Sequence, residues 1–331
     1  MSDQSRPGVA MITGASGFIG GRLRESLLDD GYDVVALTRE GSPEPRRGRG
    51  RPVDYSQPET LERALQEERP ELLFHVAGAT KGVALDDFRR GNVMPTRNLL
   101  EAAREVHPGL KRFVHVSSLT AYGPATEDEP KLEHHERAPV EFYGQSKLES
   151  EEVVEAVGDA LPWTIIRPPA VYGPGDVDHF EIFKLAVRRL NVFYGNRHNL
   201  VSMIHVDDIV RGIRMAAEHE RTVGRGYFLC DNQQRTWEAF QRAVVEATGK
   251  GALELELTSL STDLAAFFGE IATKLDGKPR LFNRQKAKMG KQRAWTCRSD
   301  RARQDFGYDH QVDLNEGIAQ TLEWYRSEGW I

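Results

Sequence analysis

Residues Val9–Gly20 read V-A-M-I-T-G-A-S-G-F-I-G, an apolar run that stops at a glycine and restarts as a helix. This is the pattern of a phosphate-binding turn between a buried strand and a helix. Gly14 can take positive φ in the tight turn, Gly17 lets the backbone approach a pyrophosphate, and Gly20 removes the Cβ that would hold helix and strand apart. The N–H groups at the helix start, with their partial positive charge, then face the phosphates. Ser16, Phe18 and Ile19, interleaved with these glycines, are expected to contact the cofactor with them. The spacing G-x-x-G-x-x-G is one residue longer in its first gap than the usual dinucleotide fingerprint, and a ligand-free strand–helix junction fits it too.

Beyond the turn, Asp33–Thr38 is apolar and β-branched enough for a buried parallel strand. In a dinucleotide fold the tip of this strand meets the adenosine ribose, where a carboxylate bonds the 2′-hydroxyl and an arginine accommodates a 2′-phosphate. The tip here is Thr38-Arg39, followed by Arg46, Arg47, Arg49 and Arg51 in a Gly/Pro-rich loop. NADP(H) is therefore expected over NAD(H), with Arg39 the main determinant. A short strand ending near Val53-Asp54 puts Asp54 and Tyr55 beside the adenine, although Asp54 also suits a turn or cap. A helix over Pro58–Glu68, a strand over Leu72–Ala77, a helix over Asp86–Val106 carrying Asn92 and a strand over Arg112–Ser117 continue the βαβ rhythm. His75, inside an apolar run, reads as a satisfied core histidine. Ala77, Gly78 and Ala79 leave room for cofactor contacts.

The chain has 331 residues, 44 basic and 50 acidic side chains and a net charge of -6, so no overall positive field recruits nucleic acid. With 28% charged and 39% hydrophobic residues it has the composition of a soluble globular protein. Two cysteines, Cys230 and Cys297, suggest neither a disulfide framework nor a metal cluster. Neither a secretory leader nor a membrane span is read, and a cytoplasmic setting is expected.

The carboxyl end of the Arg112–Ser117 strand, where an open α/β sheet places its chemistry, continues as Ser118-Leu119-Thr120-Ala121-Tyr122-Gly123. Further on stands Tyr143-Gly144-Gln145-Ser146-Lys147, before a helical stretch over Leu148–Val157. Positions i and i+4 share a helix face, so Tyr143 and Lys147 project together. A free tyrosine has a pKa of about 10, and a nearby ammonium lowers the cost of ionising it, which would make Tyr143 a usable acid or base. Ser118 would hydrogen-bond the substrate oxygen, with Thr120 as a second donor.

These motifs, with H-V-A-G at His75–Gly78, Asn92, S-S-x-x-x-Y-G at Ser117–Gly123 and R-P-P-A-V-Y-G-P-G at Arg167–Gly175, resemble in content and order the extended short-chain dehydrogenase/reductases. That is the NAD-dependent epimerase/dehydratase superfamily. The tail from Trp295 is similar to its 3β-hydroxysteroid dehydrogenase and dihydroflavonol reductase branch. The resemblance implies an α/β, doubly wound parallel sheet of Rossmann type over 1–172, completed by segments within 200–230. A smaller, mainly substrate-binding lobe would occupy 173–331. It further implies a Ser118–Tyr143–Lys147 triad, Asn92 helping through the lysine or a water, and Pro168 beside the nicotinamide.

Phe180–Leu190 suits an amphipathic helix, and His205 with Asp207 and Asp208 reads as an aspartate-capped helix start rather than a metal site. The apolar stretch Leu260–Leu275, with Phe267 and Phe268, suits a core helix or a substrate cover. Ala170 and Thr38-Arg39 depart from the residues usual in sugar-nucleotide relatives, and Lys81 could meet an anionic group. The expected function is an NADPH-dependent interconversion of a ketone or aldehyde and an alcohol. The alternatives are a nucleotide-sugar epimerase or dehydratase and a cofactor-sensing regulator. A homodimer through the helices around Asp86–Val106 and Tyr143–Val157 is also implied by the resemblance.

Overall fold

The apolar run that opens the chain forms strand β1 (Val9–Thr13), fully buried after its first residue. A strand covered on both faces needs apolar side chains in both directions, which is why it reads as a continuous run. The computed structural model describes residues 8–257 and 288–331. From β1 the chain runs through α1 (Phe18–Asp29), β2 (Asp33–Arg39), β3 (Arg49–Val53), α2 (Pro58–Glu68), β4 (Leu72–His75), α3 (Met94–Val106) and β5 (Arg112–Val116). It continues through α4 (Phe142–Glu155), β6 (Trp163–Arg167), α5 (Phe180–Val187), α6 (Val206–Glu218), β7 (Arg225–Phe228), α7 (Trp237–Ala247), α8 (Asp300–Phe306) and α9 (Leu314–Ser327).

The seven strands form one parallel sheet in the order β7-β6-β5-β4-β1-β2-β3. The order reverses between β1 and β4, and in open α/β sheets ligands bind at the carboxyl ends of the strands flanking that switch point. On one face, Leu23 and Leu27 of α1 and Ile209 and Ile213 of α6 pack on Ile12, Phe74 and Val114, with Phe306 and Tyr308 closing the same core. On the other, Leu61, Leu65, Leu99 and Val154 of α2, α3 and α4 cover Met11, Val35, Leu73 and Phe113. A separate core joins α5, α7 and α9 through Phe183, Phe240, Ile318 and Leu322, packed with Tyr172 and Met203. The strand pair Ala170–Tyr172 and Met203–His205 leads into this smaller lobe.

Several elements differ from the sequence expectations. The helix expected over Asp86–Val106 is a short turn, Leu85–Phe88, then a wide π-helical turn over Arg89–Val93, then α3. The helix expected over Phe180–Leu190 stops at Val187, because Arg189 takes positive φ (62°) and Leu190 opens a strand, Leu190–Tyr194, paired with Leu253–Leu257. Arg49 and Arg51 lie on β3 and pair with Asp33, Glu68 and Glu67, while Arg47 pairs with Glu25 and Asp29, so these three arginines brace α1, α2 and β2. The start of α6 is capped by the His205 ring, which accepts from Asp207 N, rather than by an aspartate. Asp207 instead pairs with Arg22, and Asp208 accepts from the Gln311 and Val312 N–H groups. Cys230 and Cys297, distant in sequence, are both buried, and the Cys230 thiol donates to the Cys297 carbonyl at 3.3 Å. Leu260–Leu275 lies outside the described residues. Among those described, no cluster of three His, Cys, Asp or Glu could hold a metal, and no helix is long and apolar enough to cross a membrane.

Candidate active site

The glycine turn sits at the end of β1. Gly14 has φ +72°, and a Cβ there would come within 2.7 Å of Ala77 N. A Cβ on Gly20 would stand 2.1 Å from Gly14 O, so these two glycines allow turn, helix start and the loop after β4 to close together. Gly17 is extended (φ -80°, ψ 174°) and exposed beside exposed Ser16, while Phe18 and Ile19 are half-buried against the sheet core. Thr13 fixes the second wall of the turn: its hydroxyl oxygen accepts from Val76 N (3.1 Å) and Ala77 N (3.0 Å). The His75 ring joins this hydroxyl (2.9 Å) to that of Thr96 (2.9 Å), a satisfied core histidine held neutral by burial, its pKa down to about 3.

The tips of β2 and β3 and the π turn enclose a cavity of about 430 Å³ lined by Arg39, Glu40, Asp54, Tyr55, Arg90 and Met94, among others. Arg39 is exposed and makes no ion pair among the described residues; Thr38 is half-buried beside Pro52. The Asp54 carboxylate, on the same cavity wall, accepts from Ser56 N, Ser56 Oγ and Gln57 Nε2, which is also a turn role. Tyr55 donates to Leu37 O, leaving its ring on the cavity wall. Sequence reasoning missed Glu40 and Arg90. Glu40, one residue past the strand, places a carboxylate beside Arg39, and Arg90, paired with Asp87, reaches the cavity only because the π turn aims it there. A cradle that Cβ atoms would fill and an adenosine-sized cavity with a free guanidinium fit a dinucleotide cofactor.

Ser118 follows β5, and Tyr143 and Lys147 stand one turn apart at the start of α4. The Ser118 hydroxyl lies near enough to the Tyr143 phenol to favour its ionised form. It also accepts from the Thr120 hydroxyl (3.0 Å) and Thr120 N (3.2 Å), so Thr120 supports the serine. Lys147 is buried, 3% exposed, and its ammonium donates to Val116 O at 2.7 Å. Burial brings its pKa down to about 8, opposed by the Glu151 carboxylate one turn along. Lys147 is not among the groups that set the Tyr143 pKa in the cofactor-free chain. Tyr143 is pushed well up by burial, then by the charges of Glu141 and Asp178, and the Ser118 hydroxyl alone works against them. Glu151 itself is held by the buried Arg167 through bonds of 2.9 to 3.1 Å.

Asn92 lies in the π turn, 1% exposed. Its Oδ1 accepts from Ala79 N (2.6 Å), and its Nδ2 donates to Ala79 O (3.1 Å) and Ser146 Oγ (2.8 Å). It therefore braces the β4 loop against α4 and makes no hydrogen bond to the lysine. The buried Pro168 accepts from Leu119 N (2.9 Å), which sets the loop after β6 against the serine loop. Ala170 is half-buried in the short strand that enters the smaller lobe, and Lys81 is exposed. Ala77 and Ala79 are half-buried beside the glycine turn.

A parallel sheet with a glycine cradle at its switch point and a serine, tyrosine and lysine beyond β5 defines the class of dinucleotide-dependent extended short-chain dehydrogenase/reductases. The profile of the NAD dependent epimerase/dehydratase family matches residues 10–229. A ceramide reductase of Caulobacter vibrioides is 30% identical over 98% of this chain and 96% of its own length. A ketoreductase of Stigmatella aurantiaca, acting on a 4-hydroxy-2-methyl-3-oxo-4-farnesyl-3,4-dihydroquinoline-1-oxide, is 28% identical over 93% of each chain. The structure of a UDP-glucose 4-epimerase of Thermotoga maritima with UDP-glucose superposes with a TM-score of 0.80 over 97% of this chain and 99% of that one, at 22% identity. The chain belongs to the NAD dependent epimerase/dehydratase family, whose members here are oxidoreductases and epimerases.

Proposed function

We propose that this protein is an NADPH-dependent reductase that converts a ketone or aldehyde to an alcohol, reversibly. The observation that carries the reading is the placement of Ser118 at the end of β5 beside Tyr143 and Lys147, one turn apart at the start of α4. A phenol that holds its proton is suited to donating it to an oxygen that gains charge during reduction. Ser118 hydrogen-bonds that oxygen and fixes the carbonyl. Lys147, through its bond to Val116 O, presents a buried positive group on the same helix face, suited to the cofactor ribose. Gly14, Gly17 and the start of α1 hold the pyrophosphate, and Arg39 holds the 2′-phosphate. When bound, the cofactor supplies one hydride to the carbonyl carbon.

The substrate class we favour is an apolar ketone. The two curated relatives are reductases whose printed names carry a ceramide and a farnesyl group, and both align over nearly the whole chain. Ala170, a small apolar residue at the entry to the smaller lobe, agrees with such a substrate.

The test is turnover of long-chain ketones with NADPH by the native protein and Tyr143→Phe. The variant should retain cofactor binding and lose about 10²- to 10⁴-fold in turnover, the usual contribution of a positioned proton donor. Undiminished turnover in the variant refutes the mechanism. One observation favours the second reading, a nucleotide-sugar epimerase using NAD: Glu40 beside Arg39 is the acidic group that a ribose 2′-hydroxyl would accept and a 2′-phosphate would not. Preference for NAD(H), or cofactor that cannot be stripped, would bring that reading forward. We also propose a homodimer through the outer faces of α3 and α4, checked by light scattering of the purified protein.

A further inference from the structure

His75 stands on β4 where an apolar side chain would pack without cost, since its neighbours Leu73 and Phe74 are buried and apolar. It is instead part of a line of five buried polar side chains: Thr13, His75, Thr96, Asn92 and Ser146. A buried polar group costs free energy unless it is hydrogen-bonded. All five are hydrogen-bonded here, and their partners fix where the protons lie.

Thr13 Oγ1 accepts from Val76 N and Ala77 N, which uses both of its lone pairs, so its own proton goes to His75 Nδ1 at 2.9 Å. Nδ1 is therefore the acceptor. On the far side of the ring, Thr96 Oγ1 gives its proton to Asn92 O at 2.6 Å, so its 2.9 Å contact with His75 Nε2 needs a proton from the ring. Nε2 is therefore the donor. The two ends, argued separately, require the same neutral tautomer, and the ring is packed against His115, stacked at 5.5 Å, and Phe113 at 6.1 Å. The direction continues through Asn92. Its Nδ2 donates to Ser146 Oγ (2.8 Å), and Ser146 Oγ donates to Tyr143 O (2.8 Å) in the first turn of α4.

This line supports the loop after β4, which Thr13 holds at Val76 and Ala77 and Asn92 holds at Ala79. The loop has little room. Ala77 N lies against Gly14 of the glycine turn, and a Cβ on Gly78 would stand 3.0 Å from Asn92 Oδ1 and 3.7 Å from Lys147 Nζ. A displaced loop would shift the cradle wall relative to the lysine.

We propose that His75 is a positioning residue for the cofactor site: as its Nε2–H tautomer it joins the hydroxyls of Thr13 and Thr96 into one directional hydrogen-bond chain, which sets the β4 loop between the glycine turn and the helix that carries Tyr143 and Lys147. The proposal rests on the glycine turn as the cofactor's seat and not on the choice of substrate. A fully satisfied buried network specifies one arrangement of the groups it joins. Its use here is to present the loop and the helix to the same dinucleotide in a fixed relation.

The full-length native protein, isotopically labelled at its histidine ring nitrogens, gives the tautomer by NMR at neutral pH, with His75→Gln assigning the signal. A protonated Nε2 and a bare Nδ1 are expected, and a protonated Nδ1 or a charged ring overturns the proposal. Calorimetric titration with NADPH and NADH follows. His75→Gln keeps an acceptor and a donor on one side chain and should bind both cofactors about as the native protein does. His75→Leu keeps the bulk and removes both groups, and should bind each cofactor about 10-fold or more weakly, the scale of one buried hydrogen-bonding group left unmet. Amide hydrogen exchange should quicken at residues 76–79 and in the first turn of α4 in His75→Leu and not in His75→Gln. A folded His75→Leu that loses stability to urea but binds as the native protein does makes His75 a core residue only, and the proposal fails. Equal losses in the two variants assign the effect to the packing of the ring and overturn it as well. If His75→Leu does not fold, Thr96→Val cuts the same chain at its next hydroxyl, with Thr96→Ser to restore it, and the same outcomes decide; if that variant does not fold either, the tautomer in the native protein decides. A native protein that binds neither cofactor refutes the cofactor seat and the proposal with it, a failure visible before any variant is compared.

Discussion

On the proposed NADPH reading, cofactor choice rests on Arg39, which lines the cavity at the strand tips, while Arg47, Arg49 and Arg51 are engaged with acids of α1, α2 and β2. Calorimetric titration of cofactor-stripped protein should show Arg39→Ala losing about 10-fold or more in NADPH affinity, the scale of a charge-assisted hydrogen bond, with NADH affinity little changed. An equal loss for both cofactors would remove Arg39 from the 2′-phosphate site. The grouping of Ser118, Tyr143 and Lys147 at the end of β5 and the start of α4 was legible because an i, i+4 pair shares a helix face and a strand's carboxyl end gathers polar residues at the site. Glu40 and Glu141 were not, because an exposed glutamate and a buried one read alike until a neighbour is known. The direction of the Tyr143 shift was equally hidden: it follows first from burial and then from the nearby charges of Glu141 and Asp178, which only the fold reveals.

The π turn over Arg89–Val93 ties together several parts of the candidate site for its length. It puts Arg90 at the cavity lined by Arg39 and Tyr55, and Asn92 between Ala79 and Ser146. π turns inside helices frequently mark functional sites. Asn92→Ala leaves the buried Ala79 N–H without its acceptor, at a cost of about 1–3 kcal/mol. Urea unfolding should register that loss, and cofactor affinity should fall with it because the β4 loop is no longer tied to α4. Unchanged stability would mean the bridge is dispensable. No hydrophobic period announces such a turn, because one extra residue in a helix leaves the apolar positions on either side in place. The strands buried on both faces, β1, β2, β4 and β5, were legible to within a residue or two, since such a strand must be apolar throughout, whereas the arginine-bearing β3 and the strand Leu190–Tyr194 were not. The end of α5 escaped notice because positive φ at Arg189 has no signature in an arginine.

At the scale of the molecule, the sheet is a shared structure. Its α1-side core takes Ile12, Phe74 and Val114 from the first half and Ile209, Ile213, Tyr227, Phe306 and Tyr308 from the second. A fragment of residues 1–172 exposes that face and should remain unfolded by circular dichroism and NMR; a cooperative thermal transition would show the first half to be self-sufficient. The centre of the sheet also sets the acid limit. His75 is neutral in the fold, with a pKa of about 3 against an ordinary 6.5, and His115 on the next strand is lowered in the same direction. Between those values the unfolded chain binds the proton and the native one does not, so stability falls as pH drops below 6.5, by up to about 1.4 kcal/mol per unit for each group. Urea unfolding at pH 7.5 and 5.0 should show this loss, smaller in His75→Gln; equal pH dependence in the two proteins would remove His75 from the account.

The same interlacing constrains motion. The chain leaves the sheet after β6, returns in α6 and β7, leaves again, and returns in α8 before ending in α9. A clam-shell opening about a single hinge near residue 172 would have to pull α6, β7 and α8 out of a packed core.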